Sequence, residues 1–333
     1  MFDFKTFPHP NNLMTWIIER LRNLSNIIFK ANPRTTIERH LPHSLKEALS
    51  TKFSEEELRH LTKAFDIIGD IAIIEIPNEL QAREKEIAES IMQVHRNVKV
   101  VAKKLGGMTG EYRVRPIKVI AGENRTETEY HESGCRMRFD VAKTYFSVRL
   151  SHERERIAEQ VKDGENILAL FAGVGPFPLV IARKNKGKTL KIAAIELNPD
   201  AAKYMKENVR LNKMDGIIES IEGDARTVVM EKLSNWADRI LMPLPKSAHD
   251  FLDVAFAGAK NGAIVHFYSF AEEEKAFEDA GEKIEKAAKE AKAKVEILNQ
   301  KIVRPYAPHV VQTVTDFRVI KSQEKAATRN KKR

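Results

Sequence analysis

The segment Phe171-Ala172-Gly173-Val174-Gly175-Pro176-Phe177 follows the apolar run NILAL and precedes the helix-like run PLVIARKN. Two glycines placed between a strand and a helix let a ligand approach the backbone closely at the carboxyl edge of a parallel sheet. Glu196 closes the next apolar run, where a carboxylate can accept hydrogen bonds from both hydroxyls of a ribose. Gly223-Asp224-Ala225 closes the third, offering a carboxylate and backbone amides at the height of an adenine ring. A dinucleotide site would ask for a third glycine where Phe177 and Pro178 stand, so packing against a pyrophosphate is not indicated. NAD is therefore the weaker choice, and S-adenosylmethionine, which carries that ribose without phosphates, is the cofactor expected.

These residues need a sheet to hold them. From residue 153 onward helical and strand patterns alternate: ERERIAEQV, NILALF, PLVIARKN, LKIAAIEL, PDAAKYMKENVRLN, GIIESIEG, DRILMPL, KSAHDFLDVAFAGA and AIVHFYSF. Such alternation calls for a doubly wound α/β domain, a parallel sheet covered on both faces. A long helix is expected over 272–292. The runs KVEILNQKIV and VQTVTDFRVI then close the chain as strands with no helix between them, which puts an antiparallel strand at one sheet edge, a methyltransferase-like ending.

Ahead of this domain, HSLKEALSTKFSEEELRHL reads as helical and FDIIGDIAIIEIP as a strand pair or a strand bulged at Gly69. NELQAREKEIAESIMQVHRNV reads as a further helix, and TETEYHESGCRMRFDV as a hairpin turning at Glu132-Ser133-Gly134. The expected organisation is a segment 1–43 without an assigned role, with a possible amphipathic helix over 13–30; a smaller α+β domain over 44–150; the cofactor domain over 151–320; and a basic tail, 321–333, expected to be a disordered solubilising end.

Charged residues make up 31% of the 333 residues against 42% hydrophobic, with no apolar run long enough to span a bilayer. The N-terminal stretch lacks the regions of a secretory signal, and the single cysteine, Cys135, leaves no internal disulfide; a cytoplasmic, membrane-free setting is expected. A net charge of +9 favours a polyanionic partner.

Read outward from the cofactor turn, the chain resembles the archaeal and eukaryotic tRNA (guanine-37-N1)-methyltransferase family, the Rossmann-type class, from about residue 44 to 320. The resemblance rests on GEYRVRPIKVIAGENRT (110–126), FDVAKTYFSVRLSHERERI (139–157), LFAGVGPF (170–177), AIELNPDA (194–201), DRILMPLPKSAH (238–249) and KIVRPYAP (301–308). It implies methyl transfer to N1 of the guanosine beside the anticodon of tRNA, by a monomer that contacts the anticodon stem-loop. N1 carries a proton at neutral pH, so the reaction needs a general base and a counter-charge. By resemblance these are Glu153 and Arg113, a proton acceptor and a permanent donor fork.

The same blocks imply that Arg154, Phe171, Ala172, Gly173, Val174, Gly175, Phe177, Glu196, Asp224, Ala225 and Pro243 serve the cofactor. Tyr145, Leu244, Pro245, Arg115 and Asn124 are assigned to the substrate, with arginines of the 110–138 region on RNA phosphates. No metal is implied. Where the family commonly has Asn-Leu-Pro-Lys, this chain has Pro243-Leu244-Pro245-Lys246. Proline replaces a side-chain amide with a group that neither donates nor accepts, leaving the carbonyls of Pro243 and Leu244 for the base. The related wybutosine-pathway aminocarboxypropyl transferases share the sheet and the glutamate block, some archaeal relatives also methylate a tricyclic guanine derivative, and an inactive RNA-binding module is the reading from a different class.

Overall fold

The structure, a computed structural model, describes residues 42–62 and 64–321. The proposed helix over 13–30 and the basic tail beyond 321 lie outside the described residues.

Ser44 caps the short helix α1 (Leu45–Leu49), and Ser54 opens α2 (Glu55–His60) with a reciprocal capping box to Glu57. FDIIGDIAIIEIP proves to be a strand pair, β1 (Asp66–Ile68) and β2 (Ile71–Ile74), turning at Gly69 with φ of +59°. Only glycine fits there, since a Cβ would lie 2.2 Å from Thr128 Oγ1 and 2.5 Å from the Glu129 carbonyl oxygen. α3 (Glu84–Val94) leads to β3 (Val100–Lys104), parallel to β2, and β4 (Ile117–Gly122) completes a four-stranded sheet in the order β1-β2-β3-β4. Its core is built from Leu49, Ile74, Leu80, Ile87, Ile91 and Val101, all fully buried.

β5 (Glu127–Glu132) and β6 (Cys135–Asp140) form the expected hairpin. Ser133 and Gly134 both have positive φ, +47° and +75°, the pattern of a two-residue turn whose twist matches its strands. Assigned from sequence to the α+β domain, the hairpin is hydrogen-bonded to a helix of the larger domain, α6 (Pro199–Leu211). Asn208, and Asn212 just beyond the helix end, stand one turn apart and serve the β6 backbone as substitute peptides. Their Oδ1 atoms accept from Arg138 N (2.7 Å) and Arg136 N (3.0 Å), and their amide groups donate to the carbonyls of the same residues at 3.1 and 2.6 Å.

α4 (Ser151–Gln160) opens the larger domain. Its seven-stranded sheet runs β12-β13-β11-β10-β7-β8-β9, with β7 (Asn166–Ala169), β8 (Lys191–Glu196), β9 (Ile218–Glu222), β10 (Ala237–Met242) and β11 (Ala259–Glu272) parallel. β12 (Ala293–Ala307) and β13 (Val310–Lys321) close it, β13 antiparallel to both neighbours as expected. One face packs α4, α5 (Pro176–Lys184) and α6; the other packs α7 (Ala225–Lys232), α8 (Leu252–Gly258) and α9 (Glu278–Glu290). The sheet is thus doubly wound. Because β11 extends to Glu272, α9 starts later than the sequence pattern suggests. The strand order reverses at β7, so its carboxyl end is the topological switch point where open α/β sheets bind ligands.

Candidate functional site

At that switch point the chain leaves β7 through three left-handed residues, Phe171 (φ +55°), Gly173 (+57°) and Gly175 (+89°). Gly175 caps α5, with Pro176 at the first helical position, so helix amides and dipole face the turn. A Cβ on Gly175 would press Met205 Cγ at 3.1 Å, whereas one on Gly173 would meet only the Tyr145 carbonyl oxygen at 3.7 Å. Gly173 therefore borders open space. Its N–H donates to Glu196 Oε2 at 2.7 Å, and Asn198 N donates to Oε1 at 2.8 Å. Burial pushes the Glu196 carboxyl up, while backbone amides of Asn198, Gly173 and Leu197 pull it down without cancelling the rise.

The remaining members of the turn have divided duties. Phe171 meets Phe251 edge-on at 4.9 Å, and the side chains of Ala172, Val174 and Phe177 are buried in the core. Asp224 caps α7, a helix missing from the sequence reading: its Oδ1 accepts from Thr227 N at 2.9 Å. The Ala225 side chain is buried beneath it.

Glu153, in the first turn of α4, is only 4% exposed. Arg156 grips it, Nε at 3.0 Å from Oε1 and 2.9 Å from Oε2 and Nη2 at 2.6 Å from Oε1, and the Tyr268 hydroxyl donates to Oε1 at 2.7 Å. Oε1 is thus crowded with donors, and Oε2 retains room to accept. Burial and the neighbouring Glu153 charge hold the Tyr268 phenol well above its ordinary range, so it is a donor at any working pH. Its ring faces Phe177 of the cofactor turn, 6.1 Å between centroids.

The network continues inward. Arg156 also donates to Asp316 (Nη1 to Oδ2, 2.6 Å), and Asp316 Oδ1 lies 2.6 Å from His266 Nδ1. His266 Nε2 faces Arg239 Nη1 at 2.8 Å. A guanidinium only donates, so Nε2 accepts and Nδ1–H donates to Asp316. Full burial lowers the His266 pKa and keeps the ring neutral. Arg239 is fixed in turn by Glu165, at 2.8 and 2.9 Å. Burial would raise the Asp316 carboxyl, but His266 and Arg156 together hold it well below the usual carboxylate range.

Arg154, expected at the cofactor, is 1% exposed and paired with Glu132: its Nε and Nη2 donate to the two carboxylate oxygens at 2.5 Å, and Nη1 and Nη2 reach the Ser147 carbonyl at 3.2 Å. It ties the β5–β6 hairpin to α4. Arg113, Arg115 and Tyr145 come together around one small cavity with Met108, Thr144 and Phe146. Arg113 holds the left-handed conformation (φ +53°) that closes the 109–114 loop, and Arg115 Nε is buried without a partner among the described residues. Tyr145 joins this cavity to the cofactor turn, since its carbonyl is the neighbour of Gly173. Asn124, by contrast, is exposed beyond the far end of β4, away from the strand end that Arg113 and Arg115 precede.

After β10, Leu244 N donates to the Met242 carbonyl at 2.9 Å. The Leu244 carbonyl, expected to hold a base, accepts instead from Ser247 N (3.1 Å) and Ala248 N (2.8 Å), while the Pro245 carbonyl accepts from Phe270 N at 3.2 Å. Turn geometry thus commits both, whereas the Pro243 carbonyl accepts no hydrogen bond among the described residues. The sequence reading missed Tyr268, Arg156 and Asp316. Its available signal was His266 and Tyr268 on alternate positions of an otherwise apolar buried strand.

Comparison with known proteins gives this arrangement its context. Residues 128–298 match the TRM5/TYW2 methyltransferase domain and residues 45–126 the TYW2 N-terminal domain. The chain is 42% identical over 278 residues to the tRNA (guanine(37)-N(1))-methyltransferase Trm5b of Pyrococcus abyssi, covering 84% of this chain and 81% of that protein. It is 35% identical to a tRNA(Phe) (4-demethylwyosine(37)-C(7)) aminocarboxypropyltransferase of Pyrococcus horikoshii, over 84% and 97%. Among solved structures, P. abyssi Trm5b superposes with a TM-score of 0.75 (42% identity, 84% and 82% covered) and the complex of aTrm5 with tRNALeu with 0.73 (35%, 83% and 78%). P. horikoshii TYW2 in complex with MeSAdo gives 0.70 (33%, 84% and 98%). No helix of the described residues is long and apolar enough to cross a membrane. Fold, cleft and relatives agree, and the chain belongs to the TRM5/TYW2 methyltransferase family.

Proposed function

We propose that this protein transfers the methyl group of S-adenosylmethionine to N1 of guanosine-37 in tRNA, acting as a monomer. The observation that carries the reading is the buried Glu153 carboxylate, oriented by Tyr268 and Arg156 beside the cofactor turn. The backbone of Gly173 and Gly175 and the Glu196 carboxylate suit a ribose-bearing cofactor without phosphates, and a relative with 33% identity is known with such a ligand. When bound, the cofactor supplies an electrophilic methyl group.

Everything else is the work of the chain. Oε2 of Glu153 has acceptor capacity left and takes the N1 proton. Arg113, permanently charged, faces the charge that develops on O6 as that proton leaves. Tyr145, Arg115 and the Pro243 carbonyl hold the base, which must leave its stack to reach them. Arg154 acts at a distance by fixing the hairpin against α4, and the carboxyl-end amides around Asp224 border the adenine.

The match to a TYW2 N-terminal domain over residues 45–126 favours one second reading, transfer of the aminocarboxypropyl group of the same cofactor. Transfer RNAs with guanosine, inosine or 4-demethylwyosine at position 37 are incubated with cofactor labelled either in the methyl group or in the carboxyl group, and the nucleosides are identified. Methyl label in 1-methylguanosine is expected. Carboxyl label in the RNA would establish the second reading.

A further inference from the structure

The block KIVRPYAP carries part of the family resemblance but has no duty in the site described above. The structure gives it one. β12 is the exposed edge of the large sheet, and its pairing with β13 shifts register between Pro305 and Ala307, which leaves Tyr306 as the extra residue of a bulge. Bulges re-aim side chains, and this one lays Tyr306 on Phe270 with ring centroids 4.0 Å apart and planes 30° from parallel. Tyr306 nevertheless remains 46% exposed.

Phe270 lies two residues beyond Tyr268 on β11, hence on the same face of the sheet as the Tyr268–Glu153 contact. Its N–H holds the Pro245 carbonyl, so the aromatic pair is anchored to the Pro243–Lys246 turn. Arg304 completes the group: its Nε donates to Gln312 Oε1 at 2.9 Å, and its guanidinium carbon lies 5.7 Å from the Tyr306 ring centre. Among the described residues no carboxylate pairs with it.

A half-exposed aromatic stack next to an arginine whose charge no carboxylate neutralises is the combination that binds an unpaired nucleobase with its phosphate, because any base offers a π-face and the guanidinium complements the backbone charge. We propose that Tyr306, stacked on Phe270 and flanked by Arg304, is the platform for the nucleotide adjoining the target guanosine. The site holds that neighbour splayed while the target enters the cleft. The inference rests on the proposed RNA substrate and deepens it by assigning a second base-binding position.

The test uses anticodon stem-loop RNAs carrying 2-aminopurine immediately 5′ or 3′ of the target guanosine. With wild-type protein, one of the two RNAs is expected to change its fluorescence on binding as its base stacks. Tyr306→Ala should lose that change and bind about 5- to 100-fold more weakly, Tyr306→Phe should restore both, and Arg304→Gln should weaken binding with a shallower salt dependence. Melting temperature and cofactor affinity by calorimetry, unchanged in Tyr306→Ala, show that the fold is intact. If Tyr306→Ala binds and reports like wild type, or if neither RNA responds to wild-type protein, the platform is refuted. It is also refuted if Tyr306→Ala abolishes self-association while RNA affinity stays constant, which would make β12 a contact between copies. Formation of 1-methylguanosine by wild-type protein is scored separately, so a platform that fails leaves the activity standing, and the reverse holds.

Discussion

The Tyr268 hydroxyl and the Glu153 carboxylate meet at 2.7 Å in a pocket where both side chains are almost wholly buried. The two residues lie on different elements, β11 and α4, and neither could be placed against the other from sequence spacing. Tyr268→Phe keeps the ring packed on Phe177 and removes only that donor. Glu153 then loses one of the side chains that orient it, so the single-turnover rate of methyl transfer should fall below wild type while cofactor affinity is unchanged. Rapid-quench kinetics and calorimetry check this, with a stability loss of about 1 kcal/mol expected for one hydrogen bond.

Asp316 gives a second prediction, a pH effect on stability. Its carboxyl is held below the ordinary range in the folded protein by His266 and Arg156 against the opposing effect of burial. The stabilisation is therefore present above the unfolded-state value, about 4, and is lost as pH falls from there through the folded-state value. Asp316→Asn should melt well below wild type at neutral pH, and the gap should narrow under acid. Thermal unfolding of both proteins across that range is the measurement.

Glu196 gives a third, on the cofactor. Because burial raises its carboxyl, it takes up a proton sooner on acidification than a solvated glutamate. Cofactor affinity should fall on acidification at a higher pH than that at which a solvated glutamate takes up its proton, and Glu196→Gln should bind weakly with this dependence abolished. Calorimetric titration decides it.

The asparagine ladder gives a fourth. Asn212→Ala removes partners from both the N–H and the carbonyl of Arg136 and should cost about 1–3 kcal/mol, the penalty for unsatisfied buried polar groups. Denaturant unfolding reads the loss, and a value near zero would mean that water replaces the amide.

Much of this was legible in the chain. The Gly173–Gly175 turn, Glu196 and the final strands report through local rules, because strand ends, glycine freedom and period-two alternation are properties of short segments. Asp224 shows their reach: the same residue reads equally as a ligand carboxylate or a helix cap, and only the position of Thr227 establishes the cap. Arg154 and Glu132 are separated by a hairpin and a loop, so their pairing depends on a tertiary approach that no local pattern encodes. The Leu244 carbonyl shows the same limit, since its hydrogen bonds to Ser247 N and Ala248 N belong to a turn that no local pattern predicts.

The central claim is that Glu153 removes the N1 proton during methyl transfer to guanosine-37. The most direct measurement is single-turnover transfer by Glu153→Gln, with saturating tRNA and cofactor, across pH, alongside cofactor affinity by calorimetry. A loss of about 100- to 10,000-fold in rate, the usual contribution of a general base, with cofactor affinity unchanged is the predicted result. A rate equal to wild type at every pH would contradict the account and leave Glu153 as the anchor for Arg156.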